Sequence, residues 1–451
     1  MNGKPKTESH SPDATRERSL GSAGSGAWPG GGTVQAVRGT RGAGGLWHLR
    51  IWAGLLLLFV GSASCDGQEW LDRVDDHLSL RSKDGFFQAR LSGLLDLEGY
   101  YVDQRPPGLL FDDESFFNPR LSFFVDAKLG DHLYGLVQAR LDRGFDPGMR
   151  DFEARLDEYL LRWTPVDSRL NLQAGKFATV VGGWVQRHDS WQNPLITAPL
   201  PYENLTSVSE GSVPASPAAF LARRKKPDQK DSWLPVIWGP VYATGGAVFG
   251  SVGKVDYALE AKNAALASHP YAWDPAKVQW DYPTVSGRVG FRPDPRWNHG
   301  LSLSAGPYLE ADAAEDLPAG RGLAGYHEYT LDYDASYAWH RWQLWSEVFL
   351  TRFEVPNVGN ADVLSYYLEA KYQLTTALFT GVRWNQQIFG TVADGAGGRS
   401  TWDNNMVRID VALGYRFTRH LQAKIQYSYG HRDATLQQGE QLAAVQVTMR
   451  F

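Results

Sequence analysis

Counting back from the C-terminal residue, Phe451, Met449, Val447, Val445 and Ala443 fall on one face of an extended segment, and Arg450, Thr448, Gln446 and Ala444 on the other. Strict period-two alternation of this kind predicts a β-strand with one apolar and one polar face. The same pattern recurs from Phe86 onward. Leu91, Leu95 and Leu97 oppose Arg90, Ser92, Asp96 and Glu98, and Leu121, Phe123 and Val125 oppose Arg120, Ser122 and Asp126. Tyr159, Leu161 and Trp163 oppose Glu158 and Arg162, with Leu156 and Leu160 out of phase. Toward the end of the chain, Val407, Ile409, Val411 and Leu413 oppose Arg408 and Asp410, and Leu421, Ala423 and Ile425 oppose Gln422 and Lys424. The tally is about sixteen strands, an even number.

The connections predict how these strands are arranged. Tight turns fall at Gly130-Asp131, Thr164–Ser168, Gly250–Gly253, Pro293–Asn298, His340-Arg341, Leu374–Thr376 and Thr418–His420. Longer polar loops lie between them, near 99–118, 143–153, 179–238, 263–282, 311–325, 354–361, 390–403 and 431–440. Short and long connections alternate, which places every long loop at one end. That is the asymmetry of periplasmic turns and extracellular loops, and a soluble sandwich has no reason to adopt it. Closure also removes the exposed edges that so many strands would otherwise present. The expectation is an all-β chain forming a closed antiparallel transmembrane β-barrel.

A final strand with Val445, Val447 and Met449 on one face and Phe451 as its last residue resembles the terminal signature of bacterial outer-membrane β-barrels. In that family the aromatic end is recognised by the barrel-insertion machinery, so the resemblance implies that partner for Phe451. The segment Gly175-Lys176-Phe177, ending a strand just before Gly182, loosely resembles the phosphate-selective (polyphosphate/pyrophosphate) porins, which are also sixteen-stranded. What carries over is the architecture and not the anion selectivity. In sixteen-stranded porins the third loop folds into the lumen, and the resemblance implies the same for loop 179–238.

Residues 1–45 are rich in Gly, Ser, Thr and Arg without periodicity and read as disordered or as an extension upstream of the true start. His48-Leu-Arg50, the apolar run Ile51–Val60 and the small residues Gly61–Ser64 form a secretory signal peptide over 46–64, cut after Ala63 or Ser64. The run is too short to span a bilayer as a helix. Cys65 as a lipidated residue is the lesser alternative, because Ser62 stands where lipoproteins carry Leu. Residues 65–85 read as a periplasmic lead-in, with a short amphipathic helix over 69–80 as one option. The barrel is expected over 86–451.

Composition sharpens this reading. The 17 Trp, 20 Tyr and 20 Phe suit aromatic girdles at membrane interfaces. One cysteine excludes a disulfide framework and a cysteine metal site. Seven of the 45 basic and three of the 50 acidic residues lie within 1–65, which leaves a net charge of −9 beyond that point and argues against a nucleic-acid partner.

Candidate chemistry concentrates in two places. Loop 179–238 is far longer than its neighbours, and a loop this long is functional or disordered. It carries Arg223, Arg224, Lys225 and Lys226, read either as a constriction charge that attracts anions or, in the favoured reading, as a solvated loop or a lipopolysaccharide contact outside the cell. On the lumen face, Arg90, Arg120, Arg140, Arg288, Arg408, Arg416 and Lys424 stand among Asp96, Asp126, Asp142, Glu260, Asp332 and Asp410. These read as a transverse field in an aqueous pore, or as cross-strand pairs that merely satisfy a polar interior. Arg187-His-Asp-Ser190 contains catalytic residue types, but a triad needs them to converge in space rather than in sequence. No cofactor and no metal site is expected.

The leading expectation is an outer-membrane porin passing small hydrophilic solutes or ions, with lipid and lipopolysaccharide around it and a homotrimer as candidate assembly. The rivals are a barrel enzyme of lipase or protease type and a soluble extracellular β-sandwich binding protein.

Overall fold

The computed structural model describes residues 78–103, 115–142, 153–226, 233–269, 282–435 and 438–451. The expected extension, the signal peptide, Cys65 and the lead-in as far as residue 77 lie outside these. In chain order the strands are β1 (Ser79–Arg81), β2 (Phe87–Val102), β3 (Ser115–Leu129), β4 (Leu133–Asp142), β5 (Glu153–Val166), β6 (Leu170–Phe177), β7 (Ala243–Val252), β8 (Val255–Lys262), β9 (Thr284–Phe291) and β10 (Trp297–Pro307). They continue with β11 (His327–Trp339), β12 (Trp342–Val355), β13 (Gly359–Gln373), β14 (Leu378–Phe389), β15 (Thr391–Ala393), β16 (Arg399–Thr401), β17 (Met406–Arg416), β18 (Leu421–Arg432) and β19 (Gly439–Arg450). The short β15 and β16 form a separate hairpin. Sixteen of the others pair antiparallel with their sequence neighbours, and β19 returns to β2 with Val447 opposite Leu97. The sheet is therefore a closed sixteen-strand barrel.

The seam is completed from both sides. Phe451 exchanges backbone hydrogen bonds with Gly93 at 2.9 and 3.1 Å, and below that point β1 takes over beside residues 88–90 of β2. A Cβ at Gly93 would overlap the Phe451 ring, so glycine is what lets the terminal aromatic lie flat on the neighbouring strand. Residues 79–80 are extended, so the helix option over 69–80 does not reach them.

The faces are inverted relative to a water-soluble protein. Leu303, Leu368 and Val289 are each more than half exposed on the outside, while Asp332, Gln422 and Thr448 are fully buried on the inside. Covering one large aliphatic side chain is worth roughly 1.5–3 kcal/mol, and no second layer of the described residues covers these. Ile409, which a sandwich would bury between two sheets, is 38% exposed. The soluble-sandwich expectation is overturned.

Two local departures have physical causes. In β5 the register slips where Gln138 and Ala139 face Glu158 and Leu156, so Asp157 is a bulge residue. A bulge inverts the alternation: Leu156 faces outward on one side of it, and Leu160 faces inward on the other. The expected long loop at 354–361 is only 356–358, a tight connection with Asn357 at φ 61°. Asn tolerates that left-handed conformation better than most residues. The alternation of short and long connections therefore has one exception.

Candidate functional site

Of the segment between β6 and β7, the described residues 178–226 and 233–242 enter the barrel. Its prolines at 194, 199, 201, 214, 217, 235 and 240 prevent it from extending the sheet. Among its described residues the helices are short: a 3-10 turn (Val185–Arg187), α1 (Leu200–Glu203) and α2 (Pro217–Arg223), the last capped by Ser216 Oγ accepting from Ala219 N–H at 3.2 Å. Trp184, Tyr202, Leu205, Phe220, Leu234, Ile237 and Trp238 of this segment are buried against the inward aromatics Phe349, Phe353, Tyr367, Phe389 and Trp402. The loop end of the lumen thus holds an apolar core. A sequence signal for it existed in Val348-Phe349-Leu350, where alternation fails because the strand is apolar on both faces.

Polar anchors fix the loop to one arc of the wall. Lys424 Nζ donates to the carbonyls of Ser190, Asn193 and Leu195 at 2.8, 2.9 and 3.1 Å. Arg383 donates to the Thr197 and Ala198 carbonyls at 3.0 and 2.9 Å while paired with Asp410 at 2.9 Å. Arg187 pairs with Glu369 at 2.5 Å, and Glu347 accepts from Trp184 N–H at 2.7 Å and from the Tyr202 hydroxyl at 2.8 Å. Arg408 binds Asp410 at 2.9 Å and also Glu203 of α1. At the base of the loop, Glu260 accepts the Thr179 hydroxyl at 2.6 Å.

The arc formed by β2–β5 is left facing the loop across a cavity of about 450 Å³. On the barrel side it is lined by Asp96, Glu98, Arg120, Arg140, Asp142 and Glu158, and on the loop side by His188, Asp189, Ser190 and Glu203. Arg120 bridges Asp96 at 3.2 Å and Glu98 at 2.5 Å, Arg140 pairs with Asp157 at 3.0 Å, and Arg155 pairs with Asp142 at 2.6 Å. Asp189 accepts the Trp191 and Gln192 N–H groups at 2.9 and 2.8 Å.

His188 sits with Nδ1 at 2.6 Å from the Val185 carbonyl and Nε2 at 2.8 Å from the Tyr242 hydroxyl. This places the proton on Nδ1 and leaves Nε2 to accept from the hydroxyl. Burial lowers its pKa below the ordinary imidazole value. Burial also raises the Glu203 carboxyl, partly offset by Arg408. With both His188 nitrogens occupied, Arg187-His-Asp-Ser190 forms no hydrogen-bonded relay to the Ser190 hydroxyl.

The sequence-derived cations thus separate into groups. Arg120 and Arg140 line the cavity. Arg408 and Lys424 hold the loop, and Arg288 is held by Asp334 at 2.7 Å. Arg90 and Arg416 lie toward the end of the barrel that carries the tight turns, Arg416 stacked 5.4 Å over Trp191. Arg223 donates to the Ser207 and Ser212 carbonyls at 3.1 and 2.9 Å, Arg224 donates to Thr401, and Lys225 and Lys226 are exposed. No metal-ligating cluster exists among the described residues, and no helix among them is long and apolar enough to cross a membrane, a statement that does not concern barrels.

No protein-family model matches the sequence, and no curated protein matches it. Its fold is similar to solved structures. OmpF of Salmonella typhi, in complex with daunomycin, aligns with a TM-score of 0.52 at 12% identity over 82% of this chain and 100% of that one. An anion-selective porin from Comamonas acidovorans aligns at 0.51 and 10% identity, over 81% and 100%. The outer membrane channel DcaP of Acinetobacter baumannii aligns at 0.50 and 10%, over 82% and 99%. At these identities the likeness establishes the architecture, a sixteen-strand barrel of the outer-membrane type.

Proposed function

We propose that the chain is an outer-membrane porin through which small hydrophilic solutes and ions diffuse passively, along the polar cavity between β2–β5 and the inserted loop. The observation that carries this reading is the pairing of a lipid-ready exterior with a charged, cavity-bearing interior narrowed by residues 178–242. In this orientation the tight turns face the periplasm and the loops face outward. Membrane lipid covers the exterior, lipopolysaccharide contacts the outer rim near Lys225 and Lys226, and the insertion machinery engages Phe451. A homotrimer is the assembly we favour, by analogy with the architecture. Arg120 and Arg140 line the path, while Arg408 and Lys424 shape it by holding the loop.

We do not extend the assignment to phosphate selectivity, since Lys176 of the Gly-Lys-Phe segment donates to the Leu156 carbonyl at 2.8 Å and offers no anion site. Nor do we read a hydrolase here, given the occupied imidazole of His188. Liposome swelling tests the function. Vesicles containing the purified, heat-modifiable protein should swell in small sugars, with rates falling steeply as solute size grows. Swelling no faster than in empty vesicles would overturn the proposal.

A further inference from the structure

The pore's charge is polarised along its axis. Six acidic side chains line the cavity described above, against three guanidiniums. One of the three, Arg450, belongs to the turn end, where it also lines the inner mouth with Arg90 and Arg419. Local pairing leaves the imbalance in place. Arg120 is shared by Asp96 and Glu98, Arg140 answers Asp157, Arg155 answers Asp142, and Arg408 is shared by Glu203 and Asp410. Glu158 and Asp189 add to the acidic side. Three polar atoms among the described residues of the cavity wall are buried and unbonded: Gln446 Oε1, an acceptor, the Ser190 hydroxyl, which can donate or accept, and the Trp184 indole N–H, a donor. The Gln446 amide is oriented by donating its Nε2 hydrogen to Glu98, which turns its carbonyl away.

Toward the turns the sign reverses. A second cavity on that side of the loop is lined by Arg187, Lys371 and Arg416 beside Asp334 and Glu347, and at the mouth, where no Asp or Glu side chain of the described residues lines the wall, lie Arg90, Arg419 and Arg450. The carboxylates at this level are engaged: Asp334 pairs with Arg288 at 2.7 Å, Glu347 accepts from Trp184 N–H at 2.7 Å and the Tyr202 hydroxyl at 2.8 Å, Asp256 pairs with Arg292 at 2.6 Å, and Asp126 accepts the Tyr134 hydroxyl. Trp191, at the tip of the loop, marks the boundary, with Arg416 and Arg450 stacked on it at 5.4 and 4.2 Å.

We infer that this channel rectifies. Building on the diffusion reading above, an acidic outer cavity in series with a basic inner vestibule makes a bipolar pore, in which cations are the mobile ions of one half and anions of the other. When the outer side is positive, cations enter the acidic half and anions the basic half, both accumulate at the junction near Trp191, and conductance rises. The opposite polarity drains the junction of both. Fixed charges act this way only while unscreened, at a Debye length of about 10 Å in 0.1 M salt against about 3 Å in 1 M. Because the two halves oppose each other, steady ion selectivity stays weak although the asymmetry is strong. A solute carrying both charges fits such a pore better than one with a single charge.

The test is a single-channel current–voltage curve of the full protein in potassium chloride, between about +100 and −100 mV. Addition from one side, with cleavage of the exposed loops by a sided protease, assigns the orientation. At about 0.1 M salt the current with the outer side positive should exceed the reverse by half or more, and at about 1 M the ratio should approach one. Glu158→Gln with Asp189→Asn, or separately Arg90→Gln with Arg419→Gln, should each lower the low-salt ratio, in variants that retain heat-modifiable migration. A symmetric curve at low salt, or rectification of the opposite sign, overturns the inference while leaving the diffusion channel intact. The absence of any current overturns the diffusion reading itself.

Discussion

Lys424 stands for what single residues do here. Its ammonium satisfies three carbonyls of the loop, and removing it leaves them buried without donors, at about 1–3 kcal/mol for each lost partner. Lys424→Met should therefore keep the barrel but release residues 187–199. The expected outcomes are cleavage in that segment under limited proteolysis and larger, noisier current steps; a loop that stays protected would contradict the role.

His188 behaves in the opposite sense with pH. Its folded pKa is depressed by burial, so the unfolded or released loop binds a proton more readily. The seating of the loop is fully stable above the ordinary imidazole value of about 6.5 and weakens as pH falls below it. Protease sensitivity near Val185–Ser190 should rise on acidification and lose that pH dependence in His188→Gln. At this scale the sequence was readable only in part. Arg120 and Lys424 both appear as lumen cations by alternation, but whether each meets a carboxylate or a loop carbonyl depends on strand register and on the path of a segment hundreds of residues away.

Among the elements, the strands were the most legible, because a half-apolar ribbon announces its faces every second residue. The exceptions have local causes. Leu156 and Leu160 look out of phase because Asp157 is a bulge, and residues 356–358 look like a loop because Asn357 turns where a more regular strand pair would use glycine. The inserted segment was legible as an insertion and not as a folded body. Its core depends on inward aromatics such as Phe349 and Phe353, which the alternation rule alone assigns to a polar wall. Trp238, fully buried in that core, tests its independence from the barrel. Trp238→Ala should cost the loop about 3–5 kcal/mol, giving protease cleavage within 178–242 while heat-modifiable migration of the barrel persists. Loss of both together would mean that loop and wall fold as one unit. At the seam, Gly93→Val should reduce the yield of heat-modifiable protein by blocking the Phe451 ring, and equal yield would contradict that contact.

For the whole molecule, the decisive property is the inversion of its faces. A chain whose outward side is aliphatic and aromatic and whose inward side carries Asp332, Arg383 and Gln422 has its stability tied to a hydrocarbon surround. Closure from β19 to β2 satisfies the backbone that such a surround cannot. Inside, the lumen that closure creates is largely filled by the chain's own third loop, so permeation depends on the space left along β2–β5. The central claim is that this space conducts. Single-channel recording in planar bilayers tests it most directly, comparing the full chain with one lacking residues 179–238. The account predicts discrete, small steps for the full chain and several-fold larger steps for the shortened one. A folded, heat-modifiable barrel that gives no steps with its loop in place would contradict it.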